Sequence, residues 1–261
     1  MKPISKFILI LFFYYSNIYS QKGIIRYGYI EALQIGNSSG YDYNAYLIFD
    51  KNQSYYVTAK DSLERTEKTN EQKTLTNEKN NTTLIHLGAK TSKSGDQVTQ
   101  NIQKKTTWSS LYCRKIYYTK EITPKIEWKL SNDTKLIGKF ICKKATTFFR
   151  GRQYTAWFTP EIPVPFGPWK LQGLPGLILE AYDVNKYVFW YFKTSEYPSQ
   201  TKETIKYFMT SDNDILNYNE FKKIQTSQIE KTTDKLKIAQ KQFPDVTFFP
   251  PKLNDMFIEC E

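Results

Sequence analysis

From residue 41 to 49 the chain alternates, with Tyr41, Tyr43, Ala45, Leu47 and Phe49 separated by Asp42, Asn44, Tyr46 and Ile48. A period of two sends successive side chains to opposite faces of an extended segment, so this stretch predicts a strand with at least one buried face. Tyr55-Tyr56-Val57 reads as its hairpin partner. Between 65 and 83 Glu, Lys, Thr and Asn take over and the period vanishes, which predicts a polar loop. Strand-like runs return at Leu84-Ile85-His86-Leu87 and from 110 to 118. Residues 126–130 alternate again, Ser131-Asn132-Asp133-Thr134 supply turn chemistry, and 136–145 complete a predicted hairpin. Residues 154–158, 177–182 and 187–193 are further strands, the last two joined by Asp183-Val184-Asn185-Lys186. Only the last third changes period. Tyr218, Phe221, Ile224, Ile229, Leu236 and Ile238 keep approximate helical spacing in a lysine-rich run from 217 to 241, ended by Phe243-Pro244. The pattern predicts a mainly β protein, a curved antiparallel sheet or half-barrel, with a C-terminal helical region.

Between the strand patterns lies a phrase of a different kind, Gly173-Leu174-Pro175-Gly176-Leu177-Ile178. Glycine reaches positive φ without steric cost, and Pro175 fixes its own φ while biasing Leu174 away from the α region. The hexapeptide therefore predicts a structural turn entering an apolar strand. Upstream, Pro160, Pro163, Pro165 and Pro168 enforce an extended path with few backbone donors. That path reads as an ordered crossover packed on a sheet, the alternative being a ligand-contacting loop.

The N-terminus modifies this picture. Lys2 and Lys6 precede an apolar run, residues 7–15, that is too short to span a bilayer, and Ser20 offers a cleavage position. Residues 1–20 are expected to be an export signal, an uncleaved anchor being the competing reading. Residues 21–261 are expected to form a single β domain carrying the polar loop and the helix. The expected location is outside the cytoplasm. Loss of Lys2 and Lys6 lowers the formal charge from +11 to +9. Acids are interleaved with the lysines, so a solvated surface explains this excess better than a nucleic-acid partner. The basic helix is expected to pack on the protein, with peripheral contact at an anionic membrane as its alternative. In an oxidising compartment Cys113, Cys142 and Cys260 allow one disulfide in three pairings. Cys113–Cys142 is the expected pair, because both lie in strand-like segments; free buried thiols are the alternative.

Candidate chemistry is sparse. His86 is the one histidine, so zinc and typical copper sites lack their ligands, and no metal or cofactor is expected. No Gly-x-Ser-x-Gly, P-loop or dinucleotide phrase occurs. Glu161, Glu180 and Asp183 near the turn would serve a carboxylate-dependent hydrolase if two of them converged. Aromatic residues make up 16% of the chain, enough to line a cleft as well as fill a core. The binding candidates are Trp157, Trp169, Arg150 and Arg152, the two arginines being suited to an anionic ligand or to Glu161.

The hexapeptide sits in a longer phrase that runs from Gly151-Arg152-Gln153-Tyr154 through Gly167-Pro168-Trp169 to Glu180. Trp128-Lys129-Leu130, Lys135-Leu136-Ile137-Gly138 and Cys142-Lys143-Lys144-Ala145 precede it in order. In these segments the chain resembles the GLPGLI family of exported bacterial envelope proteins. The resemblance implies a Gram-negative envelope protein located in the periplasm, at the outer-membrane periphery or outside the cell, often beside envelope transport functions, and brings no catalytic residue with it. The arrangement from 128 to 158 is also similar to exported half-barrels of the lipoprotein-carrier type, in which a curved sheet holds an acyl chain. The function expected is non-enzymatic binding, through a concave sheet face, of an apolar or peptidic ligand or of an envelope partner. The carboxylate-dependent hydrolase is the alternative.

Overall fold

The protein is described by a computed structural model covering residues 22–33, 40–65, 74–77, 82–85, 91–205 and 214–260. The export signal expected at 1–20 and His86 lie outside the described residues. The chain opens with β1 (Gly23–Glu31), β2 (Tyr41–Phe49) and β3 (Gln53–Thr58), followed by the one-turn helix α1 (Asp61–Glu64). Within the expected polar loop, β4 (Thr74–Asn77) pairs with β5 (Thr82–Ile85) as a separate ribbon. Next come β6 (Asp96–Asn101), β7 (Thr106–Cys113), β8 (Lys115–Ile122), β9 (Lys129–Ile137) and β10 (Phe140–Phe149). The remaining elements are β11 (Arg152–Thr159), β12 (Leu177–Asp183), β13 (Val188–Glu196), β14 (Ile215–Leu216), α2 (Tyr218–Gln242) and α3 (Leu253–Met256).

Apart from the β4–β5 ribbon, every strand belongs to one 12-stranded sheet of order β14-β8-β7-β6-β3-β2-β1-β13-β12-β11-β10-β9. All its ladders are antiparallel except β14 with β8. Two meanders meet at the β1–β13 seam. The expected mainly antiparallel sheet with a C-terminal helix is therefore present. Its curvature follows from one connection. β8 and β9 stand ten positions apart in the sheet, about 48 Å if it were flat. The chain from Ile122 to Lys129 has seven steps and reaches about 25 Å at full stretch. The sheet must curl until its two sides approach, yet among the described residues β9 remains an unpaired edge, so it is a half-barrel rather than a closed one.

One hairpin departs from the sequence expectation. β9 and β10 turn at Gly138-Lys139, with Ile137 opposite Phe140, and not at 131–134. Gly138 takes φ +58°, which glycine tolerates best. Ser131, Asn132 and Asp133 instead lie inside β9, opposite the single residue Lys144 at a register irregularity.

Residues 160–176 fill the hollow of the half-barrel. Ile162, Val164, Phe166, Trp169, Leu171 and Leu174 are all buried there, each worth about 1.5–3 kcal/mol relative to exposure. Prolines supply no N–H, and the donors that remain are used. Leu177 N–H donates to Ile162 O (3.0 Å), Ile178 N–H to Phe166 O (3.0 Å) and Gly173 N–H to Pro165 O (2.9 Å). Side-chain hydrogen bonds tie the segment to the β8–β9 connection and the start of β12 to β1. Trp128 Nε1 donates to Gln172 O (2.8 Å), Gln172 Nε2 to Pro124 O (2.7 Å) and Tyr27 OH to Ile178 O (2.6 Å). Gly173 (φ +93°) and Gly176 (φ +156°) bracket the turn into β12, where Leu177, Ile178 and Leu179 are buried on both faces.

The helix α2 begins with a capping box. Asn217 Oδ1 accepts from Glu220 N–H (3.0 Å), and Glu220 Oε2 accepts from Asn217 N–H (2.7 Å). Its buried residues are Phe221 and Gln225, and Phe221 packs against Leu111 and Cys113 of β7 and Tyr117 of β8. No described helix is long and apolar enough to cross a membrane.

Candidate functional site

The β10–β11 turn places two arginines side by side. Phe149 and Arg152 pair across a two-residue loop whose members, Arg150 (φ +51°) and Gly151 (φ +76°), both have positive φ. Such a loop matches the right-handed twist of its strands, and glycine suits its second position. Gly151 answers a second demand, because a Cβ there would stand 2.6 Å from Cys260 Sγ. The turn thus approaches residues 253–260.

Here the two arginines and Lys170 form a buried ion cluster. Arg150 pairs with Glu121 Oε2 of β8, and its Nε stands 3.7 Å from Glu259 Oε2. Lys170, only 1% exposed, places Nζ 2.7 Å from both Glu121 Oε1 and Glu259 Oε1. The Tyr218 ring covers Arg150, with the guanidinium carbon 3.4 Å from its centroid. Burial works against the Arg150 charge, but the Glu121 and Glu259 carboxylates outweigh it and raise the guanidinium above its ordinary value. Beside them Arg152 is paired with Asp183 Oδ2 (2.9 Å). Its remaining donors go to the backbone of 253–260, with Nε to Ile258 O (3.2 Å) and Nη2 to Phe257 O (2.9 Å) and Asn254 O. Three cations face three carboxylates, and one of those carboxylates arrives on residues 253–260.

The other candidates separate. Trp169 lies inside, stacked on Trp190 (6.0 Å, 11°), which stacks on Tyr29 (5.1 Å, 13°), which stacks on Tyr43 (6.0 Å, 25°). This ladder follows from cross-strand registers, since Trp190 pairs with Tyr29 and Tyr29 with Tyr43. Trp157 sits elsewhere on β11, under Lys135, whose Nζ is 4.7 Å from the ring centroid and 2.6 Å from Glu180 Oε1. Asp183 holds Arg152, and Glu161 accepts from the Ile141 N–H (3.0 Å). Hollows of two kinds mark the described surface. One, of about 220 Å³, lies between Gln100–Lys105, Thr123–Lys125 and the 160–176 segment; the other, of about 590 Å³, is an open groove along α2 alone. None of Glu161, Glu180 and Asp183 lines either. Among the described residues no group of three His, Cys, Asp or Glu side chains is placed to hold a metal ion.

The expected Cys113–Cys142 crosslink is not formed, and both thiols are free. Their strands are eight positions apart in the sheet. Cys113 packs with Leu111 and Phe221, while Cys142 belongs to the main core. Burial raises both thiols, that of Cys142 to about 12. Lys170, Glu121 and Glu259 escaped the sequence reading and Tyr218 entered it only as a helix position; the one local signal was a lysine amid apolar and proline residues at 162–175. A second perturbed group also escaped it. Burial, with Glu31 nearby, raises Asp96 to about 7, against the pull of the Tyr112 N–H that donates to it (3.0 Å).

A family model described as "Protein of unknown function (Porph_ging)" matches residues 150–180. That span carries the GLPGLI phrase, so the match is compatible with the resemblance drawn from the sequence. It also contains Arg150, Arg152, Lys170 and the whole segment that fills the half-barrel. No curated protein matches the chain. Two crystal forms of PNGF-II, in space groups P21 and C2, are similar to it at 16% and 17% identity, with TM-scores of 0.44 and 0.45. The alignments cover 76% of this chain, which spans about three tenths (31%) of the PNGF-II chain.

Proposed function

We propose that this is an exported envelope protein that acts by docking a partner protein on its surface, without carrying an apolar ligand. The observation that carries this reading is the filled concave face. Trp169 and its neighbours occupy the space that a half-barrel carrier would leave for an acyl chain. The hollow left at the mouth, about 220 Å³, is below the roughly 300–1,000 Å³ of typical ligand pockets. Its lining mixes Gln100, Asn101, Lys105 and Gln172 with Ile102, Pro124, Pro165 and Phe166. Exposed apolar side chains support a surface role, with Leu136 and Ile141 paired at the β9–β10 hairpin and Phe249 83% exposed after α2. The lysine-then-apolar start of residues 1–20 supports export. The hydrolase alternative gains no such support, because Glu180 and Asp183 are held in ion pairs and Glu161 by a backbone amide.

Native mass spectrometry and lipid extraction of protein taken from its own envelope test the proposal, together with crosslinking in intact cells. The expected result is the bare mass, no enriched lipid and a reproducible crosslinked protein. A stoichiometric co-purifying lipid would overturn it.

A further inference from the structure

We propose that Arg150, Arg152 and Lys170 form a receptor for a short acidic peptide, and that residues 253–260 are its resident occupant, exchangeable for an acidic segment of a partner protein. This rests on the docking reading above and names where the partner would bind.

The contacts are those of peptide recognition. Arg152 reads three backbone carbonyls, of Asn254, Phe257 and Ile258, which any sequence presents. The Arg150 carbonyl accepts the Cys260 N–H (3.2 Å), a single ladder bond at the turn. Gly151 leaves the space in which that backbone lies. Selectivity comes from Glu259, whose carboxylate meets Lys170 at 2.7 Å and Arg150 at 3.7 Å.

The receptor half is held without the occupant. Asp183 fixes Arg152, and Glu121 fixes both Arg150 and Lys170. With Glu259 neutralised in place, three cations face two carboxylates among side chains that are each at most 10% exposed. A buried unpaired charge is strongly disfavoured, so any replacement must bring an anion. The occupant half is held chiefly by these polar contacts, with Phe257 and Ile258 only partly buried against the neighbouring clusters. Within 253–260 only Glu259 is wholly buried, and the preceding residues 244–250 are almost all exposed. A tether of this kind gives the resident segment a millimolar effective concentration, which masks the receptor toward free peptide.

The test uses the full-length protein and a fluorescent peptide of sequence Leu-Asn-Asp-Met-Phe-Ile-Glu-Cys, followed by fluorescence anisotropy. Glu259→Gln weakens the resident segment and leaves the receptor intact. The peptide should bind this variant at least about tenfold more tightly than wild type, and the same peptide with Gln for its Glu should lose that gain. Binding to neither protein, or equal binding of the two peptides, would overturn the proposal. A second measurement does not depend on the variant folding. In wild type, the Cys260 amide should exchange with deuterium well before the β10–β11 ladder amides, and exchange at the ladder rate would overturn the proposal. A Glu259-dependent dimer in native mass spectrometry would overturn the assignment to a partner, since a second copy would then be the occupant. If the peptide fails while a crosslinked partner persists, docking stands and this site is wrong. A co-purified lipid sinks the docking reading itself.

Discussion

A methyl group at Gly176 would stand 2.2 Å from the carbonyl oxygen of Thr159, 2.7 Å from its carbonyl carbon and 3.0 Å from Pro160 Cα. A comfortable carbon–oxygen contact is about 3.3 Å, so Gly176→Ala asks for a displacement of about 1 Å. Every obstructing atom is backbone, and no rotamer change relieves it. Thr159 is also paired with Leu177 at the start of the β11–β12 ladder, so yielding there disturbs the register that seats the buried residues 177–179. Overpacking of this kind costs about 1–3 kcal/mol, and φ near +156° adds strain for an L residue, for a total of about 2–4 kcal/mol. At about 2–4 °C per kcal/mol for a chain of this length, the melting temperature should fall by about 5–15 °C. Gly173→Ala is the matched control. It too has positive φ, but its Cβ would meet nothing nearer than Trp128 Nε1 at 3.9 Å, so only conformational strain of about 1–2 kcal/mol applies. Thermal melts followed by circular dichroism, with urea titrations for ΔG, separate the two variants. Equal losses, or a Gly176→Ala protein that melts with wild type, would refute the close-approach argument.

Asp96 makes stability depend on pH in a defined direction. Its carboxyl is raised from 3.8 to about 7 in the folded protein, so between those values the native state holds a proton that the unfolded chain has released. Stability should fall as pH rises through that window and level off above it. Asp96→Asn should flatten that part of the profile in urea titrations at pH 5, 6, 7 and 8, and an unaltered slope would count against the raised carboxyl. For the cysteines, a thiol reagent applied to native protein should leave Cys113 and Cys142 unmodified, because burial raises both and hides them. In urea without reductant both should react, and a non-reducing peptide map that links them would show the opposite.

Strands with large alternating side chains were legible, since residues 41–49 form β2 without adjustment. β6 was not, because Asp96-Gln97-Val98-Thr99-Gln100-Asn101 has one apolar residue and carries no strand period. Its polar side chains are nonetheless buried between β3 and β7, because partners meet them there. Tyr55 OH donates to Gln97 Oε1 (2.8 Å), and Gln100 Nε2 donates to Lys170 O (3.3 Å). The β9–β10 turn was misplaced because four polar residues outweighed one glycine on local evidence, whereas pairing selected the glycine. Arg150 and Arg152 stood out in the sequence. Their partners Glu121 and Glu259 did not, since nothing local marks a carboxylate that meets its cation 29 or 109 positions away. Aromatic abundance pointed to a concave face, and the proline-rich phrase that fills that face was read as packing on the sheet. What the local pattern did not convey is that these two features are each other's partners.

The seam between β1 and β13 bears on the order in which the fold can be assembled. β2 follows β1 after nine residues, so one side of β1 is covered as soon as a hairpin forms. Its other side waits for β13, which begins after 156 intervening residues have been synthesised. Until then a long, largely apolar strand keeps a full row of open backbone donors and acceptors, a template for any passing strand. Completion depends on a contact of high sequence separation, which makes it slow relative to the local meanders. A nascent chain of this topology therefore spends its unfinished period with its eventual centre exposed as an edge, and a holding chaperone would have its best target at residues 23–31.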